Sequence, residues 1–351
     1  SHAILARVVL ARDAEMMADM SREFSAALLA NHPGRIDVIN DLIKRVPAEI
    51  CIRYFGLNCQ DADSFADWTL AISALLFGDP MGDETVRELA FQARDKMSAL
   101  FDDAIARIRK DVLQPGDTIE AADTLVHRLL IAQQSEGFDD TELRAILMGM
   151  ASGFIPTNSI AASNMLSVIL DQPEALARAR DAARNDDADL MRKVILEAGR
   201  LKPTLSPGQW RYCPHETTIE VDGKEHTIPA GSTLLVSTMS AMRDRRVWED
   251  AGEFRLDRTN QDGSWQEPDL LFGLGPHVCI GKHMAIAQIS ALFGELFKLA
   301  NLRTANGKAG KVQYLSLFPR NLVMEYTTPA AQQSMYLVIV PVTDGIEQNC
   351  L

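Results

Sequence analysis

The residue best suited to chemistry is Cys279, within FGLGPHVCIG (272–281). A thiolate is a nucleophile and a soft metal ligand, and a helix N-terminus favours its charged form. Gly273, Gly275 and Gly281 flank the sulfur, and His277 lies two residues ahead of it. Glycines at this density let a backbone lie against something flat or charged. The same cysteine could equally be a small buried hydrophobe at a helix start. Tetrahedral zinc is disfavoured, because no Cys or His partner stands at ligand spacing. Read alone, the stretch leaves two options open, an inert thiol or a metal ligand.

The rest of the chain must position that loop. It has 351 residues, 47% of them apolar, enough for a sizeable core, and no linker divides it. We read one domain over 1–351. The formal charge of −13 argues against nucleic-acid binding. Cys51, Cys59, Cys213, Cys279 and Cys350 follow no disulfide framework, which reads as free thiols in a reducing cytosol. No signal peptide is evident. The most apolar stretch, 145–170, is broken by Pro156, Thr157, Asn158 and Asn164, so no membrane span and a cytoplasmic location are expected.

Apolar residues recur at three-to-four spacing over 5–29, 36–55, 62–76, 83–109, 119–134 and 140–170, which predicts helices. Thr141 and Glu142 give the last of these an acidic first turn. DQPEALARAR and DADLMRKVILEAGRL predict two more helices, the first with Pro173 in its opening turn. After Leu201 the pattern alternates. ETTIEVDGKEHTIPAGSTLLVS predicts a hairpin plus a strand, 241–270 a meander, and 279–299 a helix. VQYLSLFPRNLVMEYTTP and SMYLVIVPV predict strands. The fold class is mainly α with a small β-rich lobe near the C-terminus.

FGLGPHVCIG closely resembles the haem-binding loop of the cytochrome P450 family, F-G-x-G-x-[H/R]-x-C-x-G, at every fixed position. The likeness to soluble bacterial members implies the cytochrome P450 fold and haem b (iron protoporphyrin IX), with Cys279 as proximal thiolate. It implies His277 facing a propionate, Phe272 packing near the sulfur, and Gly273 and Gly281 letting the loop hug the ring. EAGR matches the family's E-x-x-R, which makes Glu197 and Arg200 a structural brace. Its third partner, normally an arginine beside the meander phenylalanine, is Arg255 or Arg258 here. Arg211 resembles an arginine that reaches a propionate. The family's H-x-x-x-R maps to His2 and Ala6, with Arg7 one place late for a propionate. On this alignment the usual N-terminal strands and the loop roofing the substrate pocket are absent, as in a fragment or a piece of a fused protein.

The family's oxygen-activating pattern, [A/G]-G-x-[D/E]-T, aligns with the helix at 140–170. Thr157 takes the threonine and Pro156 the acid, while Gly153 and Phe154 take the small pair. Proline carries no proton and no N–H, so a kink is expected there. Asn158 joins Thr157 as a candidate catalytic residue, and Asn158 and Ser159 could instead satisfy freed backbone groups. Phe154, Ile155, Thr204 and Leu205 are expected to line an apolar substrate pocket. The resemblance implies a monooxygenase acting on a small apolar substrate. Its electrons would come from a ferredoxin and its reductase or from a flavin reductase, docked on a positive face of Lys282, His283, Arg243, Arg245 and Arg246. Pro156 motivates an alternative, a peroxide- or hydroperoxide-dependent enzyme needing no reductase. A third reading is a haem-binding partner without activity.

Overall fold

The computed structural model describes residues 2–79 and 82–328. The strand expected in SMYLVIVPV and Cys350 lie outside them. Helices α1 (His2–Val8) and α2 (Asp13–Ala30) replace the single helix expected over 5–29. The break has a local cause: the Asp13 carboxylate accepts the amide of Leu10 at 2.8 Å, which turns the chain between them. The helix expected over 36–55 is likewise divided, into β1 (Arg35–Asp37), a π turn (Val38–Ile43) and α3 (Arg45–Phe55). Asp37 Oδ1 accepts the amides of Ile39 and Asn40 at 3.2 and 3.4 Å and starts that turn.

Next come α4 (Ala62–Ser73), ending in a second π turn (Ala74–Gly78), α5 (Glu84–Asp111) and α6 (Leu125–Glu136). α6 starts later than periodicity predicts because Thr124 caps it. α7 (Asp140–Asp171) runs unbroken through Pro156. Its cap is Asp139, in a reciprocal capping box with Glu142. α8 (Pro173–Arg184) and α9 (Ala188–Leu201) follow as expected.

The strand-rich part holds β2 (Gln209–Cys213), β3 (Thr217–Val221), β4 (Lys224–Ile228) and β5 (Ser232–Val236). β2 pairs β5, and β3 pairs β4 through a turn whose Asp222 and Gly223 both have positive φ. That geometry is what an Asp-Gly hairpin supplies. A short α10 (Thr238–Ala241) leads into the irregular meander. α11 (Lys282–Phe297), β6 (Ala300–Thr304), β7 (Gln313–Leu315), β8 (Phe318–Asn321) and β9 (Val323–Thr327) complete the described chain. β9 pairs with β1 on one side and β6 on the other, joining strands nearly 290 residues apart in the sequence.

The core is built around α7, which packs against α3, α4, α8 and α9, while α11 lies along α2. Leu143, Ile146, Leu147, Ile155, Leu166 and Ile169 of α7 are buried. Each such side chain contributes about 1.5–3 kcal/mol by leaving water. α7 is long and apolar enough by length and composition to cross a membrane, yet 61% of its apolar window is buried inside the protein. That burial marks the core helix of a folded domain.

Candidate functional site

A cavity of about 560 Å³ opens between α7 and the start of α11, with α1 and α3 closing its sides. Cys279, Ile280, Gly281 and Met284 form one wall, and Gly149, Gly153, Phe154, Thr157 and Asn158 the opposite one. The lining is apolar apart from a few groups. Among the described residues Glu142 is its only charged one, and its carboxylate is spent on the amide of Asp139 at 3.2 Å.

The cysteine loop is shaped by its glycines. Gly273 and Gly275 hold φ of 74° and 71°, values that cost a side-chain-bearing residue about 1–2 kcal/mol. The Cys279 amide donates to Phe272 O at 2.8 Å, closing the loop. The sulfur opens to the cavity. Burial raises the Cys279 thiol above its ordinary value, and a bond from the Gly281 amide partly offsets this. Removing water disfavours a bare thiolate, and a bound cation would reverse that preference. Lys282 lies over the Phe272 ring, 5.9 Å from its centre, and pairs with Glu267 and Asp269 at 2.8 and 2.7 Å.

On the facing wall, Gly149, Gly153 and Thr157 recur every four residues and so share one stripe of α7. A Cβ at Gly149 or Gly153 would enter open space, so that stripe leaves a flat surface beside the cavity. Thr157 Oγ1 donates to Gly153 O. Asn158 is 4% exposed, and its Nδ2 has no partner in the protein. Phe154 lines the cavity as expected. Ile155 does not: it sits on the opposite side of α7, against Ala66, Leu70 and Phe318, as a residue two places from Gly153 must.

Pro156 does not interrupt α7. Its missing amide would have bonded Ser152 O, and Ser73 Oγ supplies that bond instead at 2.8 Å. Ser159 Oγ donates to Ile155 O at 2.8 Å. The one carbonyl that Pro156 frees, Ser152 O, is thus satisfied by Ser73, a residue the sequence pattern does not single out, and not by Asn158 or Ser159.

The brace is formed. Arg200 Nε and Nη2 donate to the two oxygens of Glu197 at 2.7 and 2.8 Å, and Nη1 donates to Met242 O and Ala251 O at 2.8 Å. Both side chains are at most 1% exposed. The third partner is resolved in favour of Arg258, whose Nε reaches Glu197 Oε1 at 3.3 Å. Arg255 contributes only its backbone amide, at 3.0 Å, while its guanidinium pairs with Asp250 and Asp257.

Several expected site residues stand elsewhere. Arg7 is held at the surface by Glu136. Arg211 is exposed on β2, where its guanidinium donates to Trp210 O at 2.8 Å and Gln209 Oε1 at 2.6 Å. Thr204 and Leu205 are not among the cavity's lining residues. The His277 side chain lies outside the described residues. The expected positive face is corrected at three of its five residues, while Arg245 and His283 are exposed. Lys282 is neutralised by Glu267 and Asp269, Arg246 by Asp222 and Asp244, and Arg243 is turned onto Leu201 O. The groove beside Lys282 and His283 carries Glu15, Asp186, Asp187, Glu267, Asp269 and Glu295 as well as basic groups.

One cluster went unread in the sequence. Asp13 and Arg128 are fully buried, and Arg128 Nη1 contacts both Asp13 oxygens at 2.9 and 2.7 Å. Tyr54, a cavity-lining residue, donates its hydroxyl to Asp13 Oδ2 at 2.7 Å. Burial, and then the Asp13 charge, push the Tyr54 phenol well up. The available signal was a charged residue on an otherwise apolar helix face, Arg128 between Val126 and Leu129.

Together these features define a helical protein with a single cysteine set on a glycine loop, facing a flat helix stripe across an apolar cavity. No group of three or more His, Cys, Asp or Glu side chains is assembled for a metal among the described residues. One sulfur on the cavity wall facing a flat glycine stripe fits a metal that arrives in its own planar macrocycle and takes a single ligand from the chain. The family model "Cytochrome P450" matches residues 14–314, and the chain belongs to the cytochrome P450 family. The cofactor of that family is haem b.

Among relatives, it is 27% identical over 194 residues to cytochrome P450 81D1 of Arabidopsis thaliana, covering 51% of this chain and 38% of that protein. It is 26% identical over 266 residues to psi-producing oxygenase A of Emericella nidulans, covering 73% of this chain and 22% of that protein. Among solved structures, the open cytochrome P450 Eryk from S. erythraea superposes with a TM-score of 0.75 at 21% identity. That match covers 92% of this chain and 77% of the other. The chain thus spans well under two thirds of those two curated relatives.

Proposed function

We propose that this chain is the haem-thiolate part of a monooxygenase acting on a small apolar substrate. The observation that carries this is the Cys279 loop facing the Gly149–Gly153–Thr157 stripe across the cavity. Haem b, when bound, supplies iron-centred oxygen chemistry, with a thiolate ligand favouring O–O cleavage. Cys279 would ligate the iron, with the Gly281 amide steadying the sulfur's charge. Gly149 and Gly153 leave room for a ring. The Thr157 hydroxyl spends its proton on Gly153 O and keeps a lone pair for a proton delivered from the cavity. Phe154, Ile146 and Met150 exclude water and favour apolar substrates. Phe272 and Gly273 would support the loop, and Glu197 with Arg200 the core beneath it. Arg211 and Arg7 would need to turn toward the cavity to meet propionates, and His277 is assigned to a propionate by the loop motif alone. A ferredoxin or flavin reductase would deliver electrons.

Pro156 favours a second reading, a hydroperoxide-processing enzyme without a reductase. No acid stands beside Thr157. Glu142, the one charged residue of the lining, is fifteen residues away, about 22 Å along the helix axis. A hydroperoxide brings its O–O bond already reduced, and Asn158 Nδ2, buried and unpartnered, can donate to it. The match to a much longer oxygenase is consistent with a part working beside another domain.

The two are separated by giving the haem-loaded protein a fatty-acid hydroperoxide without reductant. A parallel sample receives ferredoxin, its reductase, a reduced nicotinamide, dioxygen and a panel of apolar compounds. Product only in the parallel sample supports the monooxygenase. Product only with the hydroperoxide overturns it in favour of the second reading, and product in neither overturns both.

A further inference from the structure

We propose that Ser73 is a positioning residue for Thr157, substituting for the backbone amide that Pro156 lacks. In an α-helix the amide of residue 156 would bond the carbonyl of residue 152. Proline removes that donor, and Ser73 Oγ occupies the vacated acceptor, Ser152 O, at 2.8 Å. Both serines are buried, 1% and 3% exposed, so water cannot replace the bond. The Ser152 carbonyl shares a peptide plane with the amide of Gly153, a residue with no Cβ to restrain its backbone. Gly153 O in turn accepts Thr157 Oγ1. A tilt of the 152–153 peptide therefore moves the acceptor that fixes the Thr157 side chain. Ser73 does not line the cavity, so it acts on a ligand only through this chain of bonds.

The donor's own position is informative. Ser73 is the last residue of α4, and the next five residues wind as a π turn. Such turns are rare and concentrate at functional places. Leu76 and Phe77 in it are 62% and 56% exposed, so the α4 end is fixed on one side only. A movement of that end is transmitted through Ser73 to the turn that carries Thr157. The functional meaning rests on the proposed role of Thr157, whereas the bond substitution itself does not.

The test uses haem-loaded protein, with backbone hydrogen exchange read by mass spectrometry. Ser73→Ala should speed exchange of amides 157–160 by about tenfold, the worth of one buried hydrogen bond, and leave α9 and α11 unchanged. Ser73→Thr, which keeps the hydroxyl, should restore protection. In a Pro156→Ala background the amide at 156 returns, and Ser73→Ala should then alter exchange by less than about twofold. Equal acceleration in both backgrounds, acceleration spread over the whole core, or no acceleration in Ser73→Ala would each overturn the proposal. Ser73→Ala against Ser73→Thr decides the matter even if Pro156→Ala fails to hold haem. Activity is measured separately. The expected exchange pattern in a protein inactive with both dioxygen and hydroperoxide would uphold the positioning and sink the assigned reaction.

Discussion

Arg128 offers a sharp test of how the cavity's side wall is held. Its guanidinium is 1% exposed and donates to both oxygens of an Asp13 that is wholly buried. It also donates to Val8 O at 3.1 Å and to Ala122 O at 3.0 Å. Arg128→Met fills similar volume but leaves Asp13 charged, with only the Tyr54 hydroxyl and the Leu10 amide. Breaking a buried pair from one side costs about 3–5 kcal/mol. At about 2.1 cal/mol/K per residue, a chain of this size unfolds with an entropy near ~0.7 kcal/mol/K, so Tm should fall by about 4–7 °C. Asp13→Asn combined with Arg128→Met removes the stranded charge and should recover most of that loss. Thermal unfolding of the haem-loaded variants, followed by circular dichroism, is the assay. A fall below about 1 °C for the single variant, or a double variant less stable than the single, would refute the reasoning.

The other predictions concern the brace, the thiol and the threonine. Arg258→Ala should destabilise by about 2–3 kcal/mol, because it leaves a buried gap and strands the carbonyls of Glu249 and Asp250, while Glu197 keeps Arg200. Arg255→Ala should cost under about 1 kcal/mol, since its backbone amide survives and its ion pairs face solvent; denaturant unfolding ranks the two. In haem-free protein, alkylation of Cys279 should rise at higher pH than for a free thiol, because desolvation of the sulfur raises its pKa even though the residue is exposed. Labelling read against pH by mass spectrometry checks this, and haem should block it. Thr157→Ala should retain haem absorption yet lower product per reductant consumed by about tenfold or more.

Some of this was legible in the residues. The Cys279 loop, Glu197 with Arg200, and Thr157 with Phe154 were found because short motifs carry their own spacing. The helices at 140–170 and after Pro173 were found because long periodic segments with clear punctuation dominate local choice. The breaks at Asp13 and Asp37 were missed because one side chain accepting a nearby amide overrides periodicity over several residues. Ile155 faces away from the cavity because it lies about 200° around the helix from Gly153. Asp13 with Arg128 and Ser73 with Ser152 join residues 115 and 79 places apart. No local pattern could announce them. Lys282 and Arg246 contribute less positive charge than their signs suggest, because carboxylates distant or adjacent in sequence fold back onto them.

The central claim is that Cys279 alone supplies the protein's sulfur to the haem iron. X-ray absorption at the iron edge of the haem-loaded protein, beside a Cys279→Ser variant reconstituted in the same way, tests it most directly. The account predicts one sulfur in the iron's coordination shell of the native chain and none in the variant. A native chain without that sulfur, or a variant that keeps it, would contradict the account.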